Sequence, residues 1–236
     1  MSAGRLIGVG VGPGDPDLLT LKAIAALSRA DVIAHFAKAG NASNARAIVA
    51  THLTNGVEEL PLLYPVTTEV AKEEDAYRCA IAAFYDSSAA AVAAHLDAGR
   101  VVAVLSEGDP LFYGSYMHLH VRLAERYPTE VIPGVTGMSG CWSSIGTPIA
   151  QGDDVLTVLP GTLCEDELAR RLADSNAAVV MKIARIFGRR DWVFFVSPDF
   201  TAKRKRLSAW FSSMERCPPD LGELALFQNA SEIFLR

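Results

Sequence analysis

Apolar positions follow two rhythms along this chain. Nearly continuous apolar runs at 5–11 (RLIGVGV), 31–36 (DVIAHF), 100–106 (RVVAVLS), 129–134 (TEVIPG), 154–161 (DVLTVLPG) and 177–183 (AAVVMKI) read as buried strands. Helical spacing fills the gaps between them. Leu18, Leu19, Leu21, Ile24, Ala25 and Leu27 give one apolar face through about Ser28, with Asp15 as N-cap and Pro16 in the first helical position. Residues 41–53 predict a capped helix. A polar stretch with Pro61 and Pro65 follows. Residues 69–98 predict a long alanine-rich helix that breaks near Asp86-Ser87-Ser88, and 113–126 and 165–174 predict two more helices. Strands alternating with helices predict an α/β protein with mainly parallel sheets. The composition shifts over 138–152 (MSGCWSSIGTPIAQG), which marks the expected junction between two domains.

Composition narrows the function classes. Half of the 236 residues are hydrophobic and the net charge is −5, which argues against an extended nucleic-acid surface but leaves room for a basic pocket. The apolar runs are shorter than the roughly 18–20 residues of a membrane span, and the start of the chain has no signal-peptide layout. A cytoplasmic protein with neither a membrane nor a nucleic-acid partner is therefore expected. The four cysteines are far apart and form no CxxC pair, so no metal centre is expected. His118 and His120, two apart in a helix, point to different faces.

The stretch GVGVGPGDP (8–16) poses the chemical question. It follows a strand, as a dinucleotide fingerprint should, yet neither glycine register completes G-x-G-x-x-G. The sixth position is Pro13 in one and Asp15 in the other. No Gly-Lys-Ser/Thr follows, and a carboxylate at Asp15 opposes a phosphate. Similar turns close other strands: SEGDP after 100–106, PGVTG after 129–132 and LPG after 154–158. Glycines at the carboxyl edge of a parallel sheet let backbone approach a ligand. With Asp and Thr as the polar groups, the set predicts a mostly uncharged, hydroxyl-bearing ligand such as a nucleoside.

VGVGPGDPDLLTLKAIAALSRADVI (9–33), SEGDPLFYGSY (106–116) and VIPGVTGMSG (131–140), in this order, resemble the tetrapyrrole (corrin/porphyrin) methyltransferases. GNASNARAIVA (40–50), LSEGDPLFYGSYMHLHVRL (105–123), DDVLTVLPGTL (153–163) and MKIAR (181–185) narrow the resemblance to members that methylate carbon 20 of precorrin-2, giving precorrin-3A in cobalamin synthesis. Cobalt-factor II is the alternative substrate. The resemblance implies a two-domain tetrapyrrole methylase-like fold, 1–137 and 138–236, with S-adenosylmethionine in a cleft between the domains, and a homodimer. It places Pro13, Gly108, Asp109, Phe112, Thr136, Gly137 and Met181 on the cofactor. The tetrapyrrole carries many carboxylates, which makes Arg46, Lys182 and Arg185 its candidate partners. No general base is nominated.

The last 51 residues depart from that pattern. Up to Arg185 there are 31 alanines and 3 phenylalanines; from Ile186 onward there are 4 and 7. The family's closing strands, resembling YVERGTM and PYFS, are not found there. A change of reading frame near residue 186 is one expectation and a diverged tail the other. An inactive or binding-only protein is the corresponding functional alternative.

Overall fold

The computed structural model describes residues 4–65, 75–146, 148–182, 192–196 and 226–228. The chain divides into two compact units, residues 1–136 and 137–236.

The first unit is built on a five-stranded sheet in the order β3-β2-β4-β1-β5. Its strands are β1 (Arg5–Gly10), β2 (Val32–Lys38), β3 (Glu58–Tyr64), β4 (Val101–Ser106) and β5 (Thr129–Ile132). All pairs are parallel, with β1 running from Arg5 opposite Val101 to Gly10 opposite Ser106. Both faces are covered, so the central strands are apolar on both sides, which is why they read as continuous runs. On one face Ile7, Val9, Ile33 and Leu105 pack against α1 (Leu21–Ser28) and α2 (Asn44–Ile48). On the other, Leu6, Val32, Val102 and Val104 pack against α3 (Asp75–Asp97) and α4 (Tyr116–Leu123).

Several expectations are corrected. The helix predicted from Pro16 to Ser28 is interrupted. Asp15 Oδ1 accepts from Asp17 N at 2.9 Å and starts one 3-10 turn, and Thr20 Oγ1 then accepts from Ala23 N at 3.1 Å and starts α1. The restart changes the helical phase, so Ala23, Ala26 and Leu27 are buried while Leu21 is 86% exposed. The polar stretch holding Pro61 contains strand β3. It lies at the sheet edge, where a residue without an N–H is tolerated. The break expected near Asp86 is absent, because Ser87 turns its hydroxyl to the Phe84 carbonyl at 2.9 Å and Ser88 is buried in place. By length and composition α3 would be able to cross a membrane. Here Phe84, Tyr85, Ala89, Val92, Ala93 and Leu96 lie in the core beside the sheet.

In the second unit, β6 (Leu156–Pro160) and β7 (Ala177–Met181) are parallel and joined through α6 (Glu165–Ala173). Strands β8 (Trp192–Val196) and β9 (Leu226–Gln228) extend the sheet antiparallel. The first part of the stretch 138–152 lies in a helix, α5 (Gly137–Ile145). Cys141 and Val179 are buried there, with Met138, Trp142 and Met181 packed against them. Burial pushes the Cys141 thiol up to about 11.

Candidate active site

Three turns converge at the carboxyl edge of the first sheet. They follow β1, β4 and β5. Val11 N donates to Ser106 O at 3.0 Å and Gly108 N to Gly12 O at 2.8 Å, forming a small bridge between two turns. Asp109 ties in the third. Its Oδ1 accepts from Leu111 N at 2.9 Å and its Oδ2 from Gly134 N at 3.2 Å.

The glycines of these turns have a packing role that the sequence did not disclose. A Cβ on Gly134 would sit 2.1 Å from Gly108 O, and one on Gly10 would sit 2.4 Å from Gly134 N. Their missing side chains leave room for backbone of the neighbouring turn, where the sequence suggested room for a ligand. Gly137 differs, with nothing within 4 Å of the corresponding position.

Among the candidate cofactor residues, Gly108 is buried, and Pro13, Asp109, Phe112 and Thr136 are half-buried. Asp109 and Gly108 are joined to the turns at Gly134 and Gly12. Phe112 meets Tyr113 edge-on, with centroids 4.9 Å apart. Gly137 and Met181 belong to the second unit, where Met181 O accepts from Gly161 N at 2.6 Å. Lys182 is exposed, with a positive φ of 60°. Arg185 lies outside the described residues.

Arg46 is already engaged. Its Nε and Nη2 reach Glu59 Oε2 and Oε1 at 3.1 and 2.8 Å, a two-pronged pair from α2 to β3. His35 Nε2 lies 3.5 Å from the same carboxylate, and His35 Nδ1 is buried without a partner. Burial, with Arg46 adding to it, lowers the His35 pKa below its ordinary value against the opposing pull of Glu59. The hydrogen bond from Arg46 holds the Glu59 carboxyl below its usual range. A depressed histidine favours the folded state fully above the unfolded value of about 6.5 and progressively less as pH falls through the folded value. Glu59 acts in the same direction below about pH 4.5. Stability is therefore expected to fall as pH drops from 7 to 5. His35→Leu should flatten that interval in thermal unfolding, and an unchanged slope would assign the loss to other groups.

A second cluster was not legible in the sequence. Tyr64 at the end of β3 shares a hydrogen bond with Ser115 Oγ, and Tyr85 OH from α3 donates to the same oxygen at 3.3 Å. Ser115 occupies the N-cap position of α4 but makes no cap hydrogen bond, because its hydroxyl serves the tyrosines. Burial, above all, holds the Tyr64 phenol well above its ordinary pKa, so it stays protonated. His118 stacks on Tyr85, centroids 4.0 Å apart, and Arg122 lies over the same ring while pairing with Asp86.

Residues 5–195 match the family described as Tetrapyrrole (Corrin/Porphyrin) Methylases. Over 185 residues the chain is 67% identical to the precorrin-2 C(20)-methyltransferase of Sinorhizobium sp, a match covering 78% of this chain and 76% of that protein. It is 29% identical over 187 residues to the cobalt-precorrin-2 C(20)-methyltransferase of Salmonella typhimurium, covering 79% and 76%. The fold is shared with the uroporphyrin-III C-methyl transferase of Thermus thermophilus, solved with S-adenyl homocysteine. The TM-score is 0.54 at 21% identity, over 99% of this chain and 94% of that one. The chain belongs to the tetrapyrrole (corrin/porphyrin) methylases and is a methyltransferase.

Proposed function

We propose that this protein transfers a methyl group from S-adenosylmethionine to carbon 20 of precorrin-2, giving precorrin-3A in cobalamin biosynthesis. The observation that carries the reading is the 67% identity to the Sinorhizobium sp enzyme, against 29% to the cobalt-precorrin-2 enzyme. The division at Thr136 and Gly137 supports a two-domain chain. The same reading takes the protein as a cytoplasmic homodimer, the dimer being what the motif resemblance implies.

S-adenosylmethionine supplies a methyl on a sulfonium, whose sulfur leaves as a neutral thioether when the ring carbon attacks. The ring then loses one proton from carbon 20. Because the leaving group becomes neutral, the protein need not protonate it, and alignment is the main task. The residues present fit such a donor. The turns offer neutral backbone, the space at Gly137 is open, and Phe112 and Pro13 are half-buried apolar surfaces. Gly108, Asp109 and Thr136 would supply polar contacts, and Met181 an apolar one. Lys182 and Arg185 would meet the substrate carboxylates. Arg46 would do so only by leaving Glu59.

Incubation of the purified protein with methyl-labelled S-adenosylmethionine and precorrin-2 tests this. One labelled methyl per precorrin-2, located on carbon 20, is the expected result. Transfer confined to cobalt-factor II would move the protein to the cobalt-bearing route. Cofactor binding without transfer would make it a binding protein, and no binding would make it an inactive one. The composition break at residue 186 supports a change of reading frame, and resequencing the coding DNA there checks it. An intact frame leaves a diverged tail.

A further inference from the structure

Backbone strain among the described residues is confined to two non-glycine positions with positive φ, Tyr113 at 55° and Lys182 at 60°. Tyr113 lies between β4 and α4, and Lys182 directly follows β7, so each lies past the carboxyl end of a strand with a parallel neighbour. That edge is where ligands meet sheets of this kind. For a bulky side chain the left-handed region is an outlier, held only when the surroundings impose it and concentrated at functional sites.

The loop carrying Tyr113 does contain a glycine, one residue away. Gly114 answers a different need: a Cβ there would lie 2.7 Å from Ser106 Oγ and 3.1 Å from Pro110 O. The position whose conformation favours glycine carries tyrosine instead. Both ends of the loop are clamped. Asp109 accepts from Leu111 N and Gly134 N at one end, and Ser115 Oγ binds Tyr64 and Tyr85 at the other. Between the clamps Leu111 is 50% exposed and Tyr113 41% exposed, and Phe112 braces the Tyr113 ring edge-on. The mount is rigid and holds an aromatic and a leucine half-exposed at a conformational cost. It suits recognition of a flat apolar surface.

We propose that Tyr113 is a substrate-binding residue, its ring and Leu111 covering one face of the tetrapyrrole macrocycle. This rests on the methyltransferase reading. Substrate carboxylates would be met by cations elsewhere; the apolar centre of the ring needs a surface of this kind.

Tyr113→Gly separates ligand binding from folding, because glycine adopts the strained conformation freely while removing the aromatic. The full-length protein would be titrated with precorrin-2 under anaerobic conditions by fluorescence quenching, alongside S-adenosylmethionine binding, methyl transfer and thermal unfolding. Tyr113→Gly should weaken precorrin-2 binding about tenfold and raise its KM similarly. It should leave S-adenosylmethionine affinity unchanged and keep the unfolding midpoint at or above that of the unsubstituted protein. Tyr113→Phe should retain binding. Unchanged precorrin-2 affinity in Tyr113→Gly overturns the proposal, as does a lowered midpoint accompanied by an equal loss of cofactor affinity, which would mark a structural role. If the unsubstituted protein transfers no methyl, the binding titration still decides on Tyr113, so the two failures are distinguishable.

Discussion

Gly134→Ala is expected to remove a large part of the protein's stability. The added Cβ would lie 2.1 Å from Gly108 O and 2.9 Å from Gly10 C and Cα, so the obstacle is backbone on two other turns. A flexible side chain could swing away, but these turns are anchored by the Val11–Ser106 and Gly108–Gly12 hydrogen bonds. Overpacking relieved by side-chain shifts costs about 1–3 kcal/mol, and a collision that must separate three strand ends should exceed about 4 kcal/mol. Against a total stability of roughly 5–15 kcal/mol, that removes between about a quarter and four-fifths of the margin that keeps the chain folded. Gly137→Ala is the control. Nothing lies within 4 Å of its Cβ position, and it opens α5, where alanine is the better helix former. Thermal unfolding should show the first variant lower by about 10 °C or more and the second unchanged or slightly higher. A Gly134→Ala protein melting within about 2 °C of the original would show that the turns can separate cheaply, and the packing account of these glycines would fail.

The strands at the centre of the first sheet were legible because β1 and β4 are buried on both faces, leaving apolar runs that no other element explains. Strand β3 is obscured by Pro61, which a central strand excludes and an edge strand tolerates. The phase of α1 is hidden in the sequence because Asp15 and Thr20 each cap a separate helical turn, and the second resets the phase of the first. The motif Gly108-Asp109-Pro110 marked the right turn. What it could not disclose was the partner of Asp109, since Gly134 lies 25 residues away. The Ser115 cluster was hidden for the same reason, with tyrosines 30 and 51 residues distant. In the sequence Arg46 is a candidate for substrate carboxylates because nothing local marks its partner, Glu59, which lies in edge strand β3.

Asp109→Asn should lower kcat/KM for methyl transfer by about 100-fold, and the way it does so identifies what Asp109 is for. The carboxylate accepts two backbone hydrogen bonds, one within its own turn and one from Gly134. Asparagine has one acceptor oxygen, so its NH2 group must face one of these N–H donors, and the contact becomes repulsive. Leaving the half-buried Gly134 N–H unsatisfied costs about 1–3 kcal/mol, a fall of several degrees in the unfolding midpoint. The turns at Gly12, Gly108 and Gly134 then shift against one another, and the proposed cofactor residues Gly108 and Phe112 move with them. Stability, S-adenosylmethionine affinity and turnover should therefore decline together, and the pH profile of turnover should keep its shape. A general base would leave another signature: kcat alone would collapse, with the unfolding midpoint and cofactor affinity intact and one limb of the pH profile lost. That second outcome would transfer Asp109 from holding the turns to accepting the proton that carbon 20 releases. The geometry favours the first, because each carboxylate oxygen accepts a backbone hydrogen bond that holds these turns together.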